Sequence, residues 1–119
     1  MNREEFYNEI DKLAGLKDGW LDGYGYKPSR LLLDWFTRSY EEIEDEIPYP
    51  YIFPTPDGGI NLEWNLPNID AEMEIPPSKI GEFFFTYNDS LDAKEDLFDL
   101  NKREEWNRFV SLFKKYNRS

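Results

Sequence analysis

The sequence predicts a single α+β domain over residues 1–119, and two patterns carry that prediction. Apolar residues recur at helical spacing near both ends of the chain, whereas the middle alternates apolar and polar residues as half-buried strands do. Short turns rich in Pro, Asn and Gly separate the alternating segments. We therefore expect two N-terminal helices, a four-stranded antiparallel meander, and a C-terminal helix packed on the sheet.

Three segments have the apolar stripe of an amphipathic helix. Ser29 fits the N-cap of the second helix, because a serine hydroxyl accepts a bond from a free backbone N–H. Asn101 with Glu104 three residues later fits a capping box at the start of the third helix. The predicted helices span about residues 2–16, 30–46 and 102–117.

The predicted strands span about residues 51–54, 60–66, 69–75 and 82–87. The first is short and belongs at a sheet edge, because Pro54 cannot donate to a ladder. Asp57 and Gly58 favour a two-residue hairpin turn. That turn would place two rings of the first strand toward the core, pairing Phe53 with Leu62 and Tyr51 with Trp64.

The fourth predicted strand carries three consecutive phenylalanines, 83–85, and is therefore apolar on both faces. Such a strand indicates that a helix or a loop covers its second face. The next segment, residues 88–99, is polar and acidic. We expect a loop with a short helical turn there.

Residues 17–28 combine glycines, aspartates and aromatic residues, a composition typical of an irregular loop. Trp20 is expected to fold back onto the core as a plug. Tyr24 and Tyr26, each beside a glycine, are candidates for an exposed contact with a partner. Both roles, plug and partner binding, remain open for the loop as a whole.

Pairing the second and third strands across the turn at 67–68 predicts an acidic outer face. Carboxylates directly opposite one another destabilise a sheet, so this face needs an explanation. A basic partner surface or a cation would provide one; a solvated face reached by lysines from elsewhere is the alternative. The predicted pairs are Asn65 with Asp70, Glu63 with Glu72, and Asn61 with Glu74. The predicted partner-binding residues are Glu63, Asp70, Glu72, Glu74, Tyr24 and Tyr26.

The composition narrows the possible functions. Lys and Arg number 14 against 25 Asp and Glu, a formal net charge of −11. This charge argues against direct binding of nucleic acid or of an anionic membrane surface, and it permits a basic protein partner. Simple solubility is the alternative explanation. With no signal region and no spanning segment, we expect a cytoplasmic protein.

Cysteine and histidine are both absent. The chain therefore has no thiolate nucleophile, no imidazole base and no Cys- or His-ligated metal. Asp18 and Asp22 are spaced as in an EF-hand loop, but Trp20 and Ser29 stand where further ligands belong. We expect no catalytic residue, no metal site and no cofactor.

Two segments resemble the signature of a group of small, largely uncharacterised bacterial and phage proteins. Residues 16–29 carry the pattern GWxxGxGxxPS, and residues 50–64 carry PTPxGGxxLEW. The resemblance covers parts of the N-terminal half. It implies a bacterial or phage origin and brings no established activity.

These observations predict a non-enzymatic acidic protein that binds and inhibits or regulates a basic partner, as an antitoxin or inhibitor does. One alternative is a phage-encoded mimic of nucleic acid that blocks a host DNA- or RNA-binding defence protein, of the anti-CRISPR or anti-restriction type. Mimicry requires carboxylates arranged like phosphates along one surface. A second alternative is a Mg²⁺-dependent hydrolase built on carboxylates.

Overall fold

The computed structural model describes residues 1–88 and 90–118, and its architecture is α+β as the sequence predicts. The described residues form three helices and five strands. Their bounds are α1 Arg3–Ala14, α2 Arg30–Glu41, β1 Tyr51–Pro54, β2 Ile60–Asn65, β3 Ile69–Ile75, β4 Ile80–Tyr87, β5 Lys94–Asp99 and α3 Arg103–Tyr116. The strands form one antiparallel meander in the order β1-β2-β3-β4-β5.

The prediction of a loop with a helical turn at 88–99 is wrong, because Lys94–Asp99 forms β5. Its charged residues have low strand propensity, but pairing with β4 overrides that preference. Phe98 is fully buried opposite Gly81, whose missing side chain leaves room beside Met73. Asp89, part of the predicted loop, lies outside the described residues.

The predicted pairing of β1 with β2 is also wrong, by one residue. Tyr51 lies opposite Glu63, and Phe53 opposite Asn61. The connection is a five-residue loop, 55–59, in which the Thr55 N–H donates to the Gly59 carbonyl at 3.1 Å. An odd shift moves each side chain to the other face of the sheet. Both rings therefore face outward.

The helix boundaries differ from the predictions at two ends. Ser29 caps α2 through its hydroxyl, 3.0 Å from the Leu32 N–H, as predicted. However, α2 ends at Glu41, and residues 42–46 form turns, because the acidic run opposes the negative end of the helix dipole. The predicted capping box is wrong: Lys102 is the N-cap of α3 and makes no side-chain cap bond.

Aromatic rings fill the core between the helices and the inner face of the sheet. Phe6 of α1 contacts Phe36 and Tyr40 of α2, with ring centroids 6.1 and 4.9 Å apart. Trp64 of β2 packs against Phe113 of α3 at 5.1 Å. All these rings are nearly inaccessible to solvent. Because all three helices of the described residues lie on this one side, none of them covers the opposite face of the sheet.

None of the helices among residues 1–88 and 90–118 is long and apolar enough to cross a membrane.

Candidate functional site: the outer face of the sheet

The outer face is the side of the sheet that points away from the helices. Strand alternation defines it, since the intervening residues are buried against the helices. Its residues are Tyr51, Phe53, Asn61, Glu63, Asn65, Asp70, Glu72, Glu74, Ile80, Glu82, Phe84, Thr86, Glu95, Leu97 and Asp99.

Negative charge dominates the outer face. Lys and Arg occupy none of its strand positions. Asp99, at its border, lies 3.9 Å from the Lys102 ammonium. Within residues 1–88 and 90–118, the remaining acidic residues of the face form no ion pair. These uncompensated carboxylates are Glu63, Asp70, Glu72, Glu74, Glu82 and Glu95.

The predicted register between β2 and β3 is confirmed. Glu63 lies opposite Glu72, and the predicted pairs of Asn65 with Asp70 and Asn61 with Glu74 are also present. On the other side of β3, Glu74 lies opposite Glu82. The face therefore brings like charges directly opposite one another twice, an arrangement that costs stability.

Aromatic residues interrupt this acidic surface. One row across the sheet reads Tyr51, Glu63, Glu72, Phe84, Glu95. Tyr51 is 49% exposed, and Phe84 is half-buried. The sequence predicts a helix or a loop over the second face of β4; none of the described helices lies there, and Ala93 of the β4–β5 connection lines a groove together with Phe84.

Two shallow grooves lie on either side of Phe84. One, of about 340 Å³, is lined by Glu63, Glu72 and Asp70 together with Ala93. The other, of about 430 Å³, is lined by Glu82, Glu95 and Leu97. Each groove therefore combines carboxylates with Phe84, and the first is lined by Phe85 as well.

The Asn61 side chain is under-satisfied on this face. Its Nδ2 lies 3.5 Å from Glu63 Oε1, at the limit of a hydrogen bond. Its Oδ1 is buried and has no partner among the described residues. An acceptor without a donor matches the general lack of positive groups on the outer face.

The β5 edge of the sheet is closed to strand addition by its own neighbours. Arg108 of α3 donates from Nη2 to the Leu97 carbonyl at 2.5 Å. The Asp96 carboxylate accepts the Leu97 N–H at 2.8 Å, and Glu105 accepts the Asp99 N–H at 3.3 Å. Side chains that occupy edge groups protect a sheet from pairing with other chains. The backbone groups of this edge are therefore less available for pairing with another chain.

Tyr24 and Tyr26 do not project from the sheet. Their loop is ordered against the β1–β2 connection, where the Tyr26 N–H donates to the Pro56 carbonyl at 2.9 Å. Trp20 is half-buried and donates from Nε1 to the Tyr26 carbonyl at 3.0 Å. Tyr24 and Tyr26 remain 77% and 67% exposed. They form a separate aromatic patch at one end of the sheet.

A second polar cluster, centred on Glu44, stabilises the helical side. Glu44 accepts hydrogen bonds from the hydroxyls of Tyr7 and Tyr49, both at 2.9 Å, and from Arg3 Nε at 3.2 Å. Burial alone would raise the pKa of Glu44, but these bonds outweigh it and hold the pKa below its ordinary value. Burial and the Glu44 charge raise the pKa of Tyr7 far above its ordinary value. This cluster connects α1 to the segment after α2.

No three acidic side chains among the described residues are arranged to hold a metal ion. Comparison of the chain with protein-family models, curated proteins and solved structures found no match. The resemblance of residues 16–29 and 50–64 to small bacterial and phage proteins therefore stays a prediction.

Sequence reasoning missed part of the outer face. It placed Tyr51 and Phe53 in the core and did not assign Glu82 and Phe84 to this surface. The signal was present in β4, where Glu82, Phe84 and Thr86 alternate with the buried Phe83 and Phe85. For Glu95 and Leu97 no clear signal existed, since β5 itself was not recognised.

Proposed function

We propose that this protein is a non-enzymatic binding protein whose outer sheet face contacts a basic surface of a partner protein and so inhibits or regulates it. One observation supports the proposal most strongly: the outer face carries six uncompensated carboxylates and no lysine or arginine. Opposed carboxylates lower the stability of the free protein. A basic partner would remove this repulsion, so the binding energy includes relief of a cost present before binding.

The proposal is tested by capture from bacterial lysate at low salt, with matched variants of equal charge. The face variant is Glu63→Gln, Glu72→Gln and Glu74→Gln. The control variant is Glu4→Gln, Asp11→Asn and Glu104→Gln, which removes three exposed carboxylates from the helices.

We expect the wild type and the control variant to retain the same basic protein, and the face variant to lose it. Raising the ionic strength to about 1 M should release it as well, because the Debye length then falls to about 3 Å. Equal capture by all three forms would refute a role for the outer face.

Mimicry of nucleic acid is the second candidate function, because three carboxylates follow one another along β3. Asp70, Glu72 and Glu74 follow one another along β3 at intervals of about 6.7 Å, two residues of strand rise. Successive phosphates of one DNA strand advance about 3.4 Å along the axis. They also turn about the axis, so their separation through space is larger, and the carboxylate spacing does not count against mimicry. A competition experiment decides between the two functions. Duplex DNA should displace this protein from its partner only if this protein occupies the partner's nucleic-acid-binding site.

The hydrolase alternative has a direct assay. Addition of millimolar Mg²⁺ should leave the activity on nucleic-acid and sugar substrates unchanged, if the protein acts by binding alone. A Mg²⁺-dependent rise in activity would favour the hydrolase. A rise in the melting temperature alone would not, because added ions also screen the opposed carboxylates of the outer face.

A further inference from the structure

Within this protein, arginine side chains are bound by an aromatic ring together with carboxylates. The Arg108 guanidinium lies 4.0 Å from the centroid of the Phe98 ring and binds Asp96 at 2.8 Å and Glu105 at 2.6 Å. An aromatic ring with flanking carboxylates suits arginine, because its planar group stacks on the ring while its edge donates paired hydrogen bonds.

A similar arrangement with one carboxylate occurs a second time, between α1 and the segment after α2. The Arg3 guanidinium lies 4.8 Å from the centroid of the Tyr7 ring and binds Glu44 at 3.2 Å. Two independent places in one small domain therefore use a ring and a carboxylate to hold an arginine.

The outer face repeats this set without an arginine. Phe84 lies between Glu72 of β3 and Glu95 of β5, each directly opposite it on the neighbouring strand. Directly opposite side chains have Cβ atoms about 4.5–5.5 Å apart, within reach of one guanidinium. Tyr51 lies opposite Glu63 in the same row. The grooves on both sides of Phe84 give a long side chain access to its ring.

We propose that the outer face selects arginine over lysine, and that the Phe84 ring with Glu72 and Glu95 receives guanidinium groups of the partner. This inference rests on the proposed function, since it specifies the chemistry of the basic partner. A lysine ammonium is a more strongly hydrated point charge and cannot make the paired contact with a carboxylate while stacking on a ring. Charge attracts either residue to the face; the ring between two carboxylates distinguishes them.

The test compares two synthetic decapeptides, one alternating Arg and Gly and the other Lys and Gly, by calorimetry and by amide chemical-shift mapping of the labelled protein. We expect the Arg peptide to bind about three- to tenfold more tightly, because only arginine adds paired hydrogen bonds to carboxylates while its planar group stacks on the ring. Its shifts should centre on β3, β4 and β5. Phe84→Leu removes the ring and should bring the two affinities together, because it weakens the Arg peptide more than the Lys peptide.

Glu95→Gln provides a second variant, because it changes one charge at the exposed edge strand and preserves size. It should weaken the Arg peptide more than the Lys peptide. Equal affinity of both peptides for the wild type, with both lost in the Glu63→Gln, Glu72→Gln, Glu74→Gln variant, would overturn arginine selection and leave the basic-partner function standing. If neither peptide binds to the outer face, both arginine selection and the basic-partner function are overturned.

Discussion

Replacement of one member of the Glu63–Glu72 pair should make the protein more stable. The two carboxylates lie directly opposite each other on neighbouring strands, and both side chains are half-buried. Two unit charges about 5 Å apart repel by about 0.8 kcal/mol even at the dielectric constant of water. With an unfolding entropy of about 2.1 cal/mol/K per residue, that energy corresponds to a rise of about 3 °C in the melting temperature.

The assay is a double-mutant cycle of Glu63→Gln, Glu72→Gln and the combined variant, measured by thermal unfolding at low salt. Each single change should stabilise the protein by about 0.8 kcal/mol, and the combined change by little more, because one substitution already removes the repulsion. Glutamine keeps the size and the acceptor atom of glutamate. Asp70→Asn is a matched control on the same strand, since its direct neighbours Asn65 and Thr86 are uncharged.

Salt supplies an independent check on the same cycle. At about 1 M ionic strength the Debye length is about 3 Å, so the coupling between the two positions should largely vanish. The reasoning is refuted if the single substitutions destabilise the protein, or if their effects on the free energy of unfolding are additive at low salt. Such results would mean that solvent already neutralises the outer face, and they would weaken the case for a basic partner.

Three further predictions concern the scaffold. Glu44→Gln should lower the free energy of unfolding by about 1–3 kcal/mol at neutral pH. The pKa of Glu44 is lowered in the folded protein, so its contribution to stability is complete above the unfolded-state pKa and is lost as the pH falls through the folded-state pKa. Urea unfolding from about pH 2 to 7 should show the wild type and this variant converging in acid. Ile52→Ala should lower the free energy of unfolding by about 2–5 kcal/mol because Ile52 is 4% exposed, whereas Phe53→Ala should lower it by less than about 1 kcal/mol. The reverse order would support the two-residue turn, which places Phe53 in the core. Gly59→Ala should cost about 1–3 kcal/mol in denaturant unfolding, since its Cβ would lie within 3 Å of a backbone carbonyl oxygen, whereas Gly15→Ala meets only ordinary contacts and should be tolerated.

The local patterns of this sequence were sufficient for most secondary structure. Helical spacing located all three helices, and strict alternation in β2 and β3 predicted their pairing residue by residue. Alternation is informative there because one face is buried and the other solvated, so a slip of one residue would invert both. The acidic residues Glu63, Asp70, Glu72 and Glu74 were assigned to one face for the same reason.

Two features of the outer face depend on contacts between distant parts of the chain. The β1–β2 register follows from a five-residue loop, in which Thr55 and Gly59 bond to each other and the Pro56 carbonyl accepts the N–H of Tyr26, a residue of the loop before α2. β5 exists because β4 offers a ladder and Gly81, directly opposite Phe98, leaves space for Met73 and Leu100. Neither cause can be read from a short window of sequence, since each depends on a residue in another element.

The sequence by itself determined the fold class, the net charge and the carboxylates of β3. Only the tertiary structure decided which aromatic rings lie among those carboxylates. The β1–β2 register places Tyr51 and Phe53 on the outer face, and the pairing of β5 with β4 places Glu95 beside Phe84. The physical reason is that charge and periodicity are local properties, whereas the side a ring occupies depends on which backbone groups a loop and a neighbouring strand satisfy.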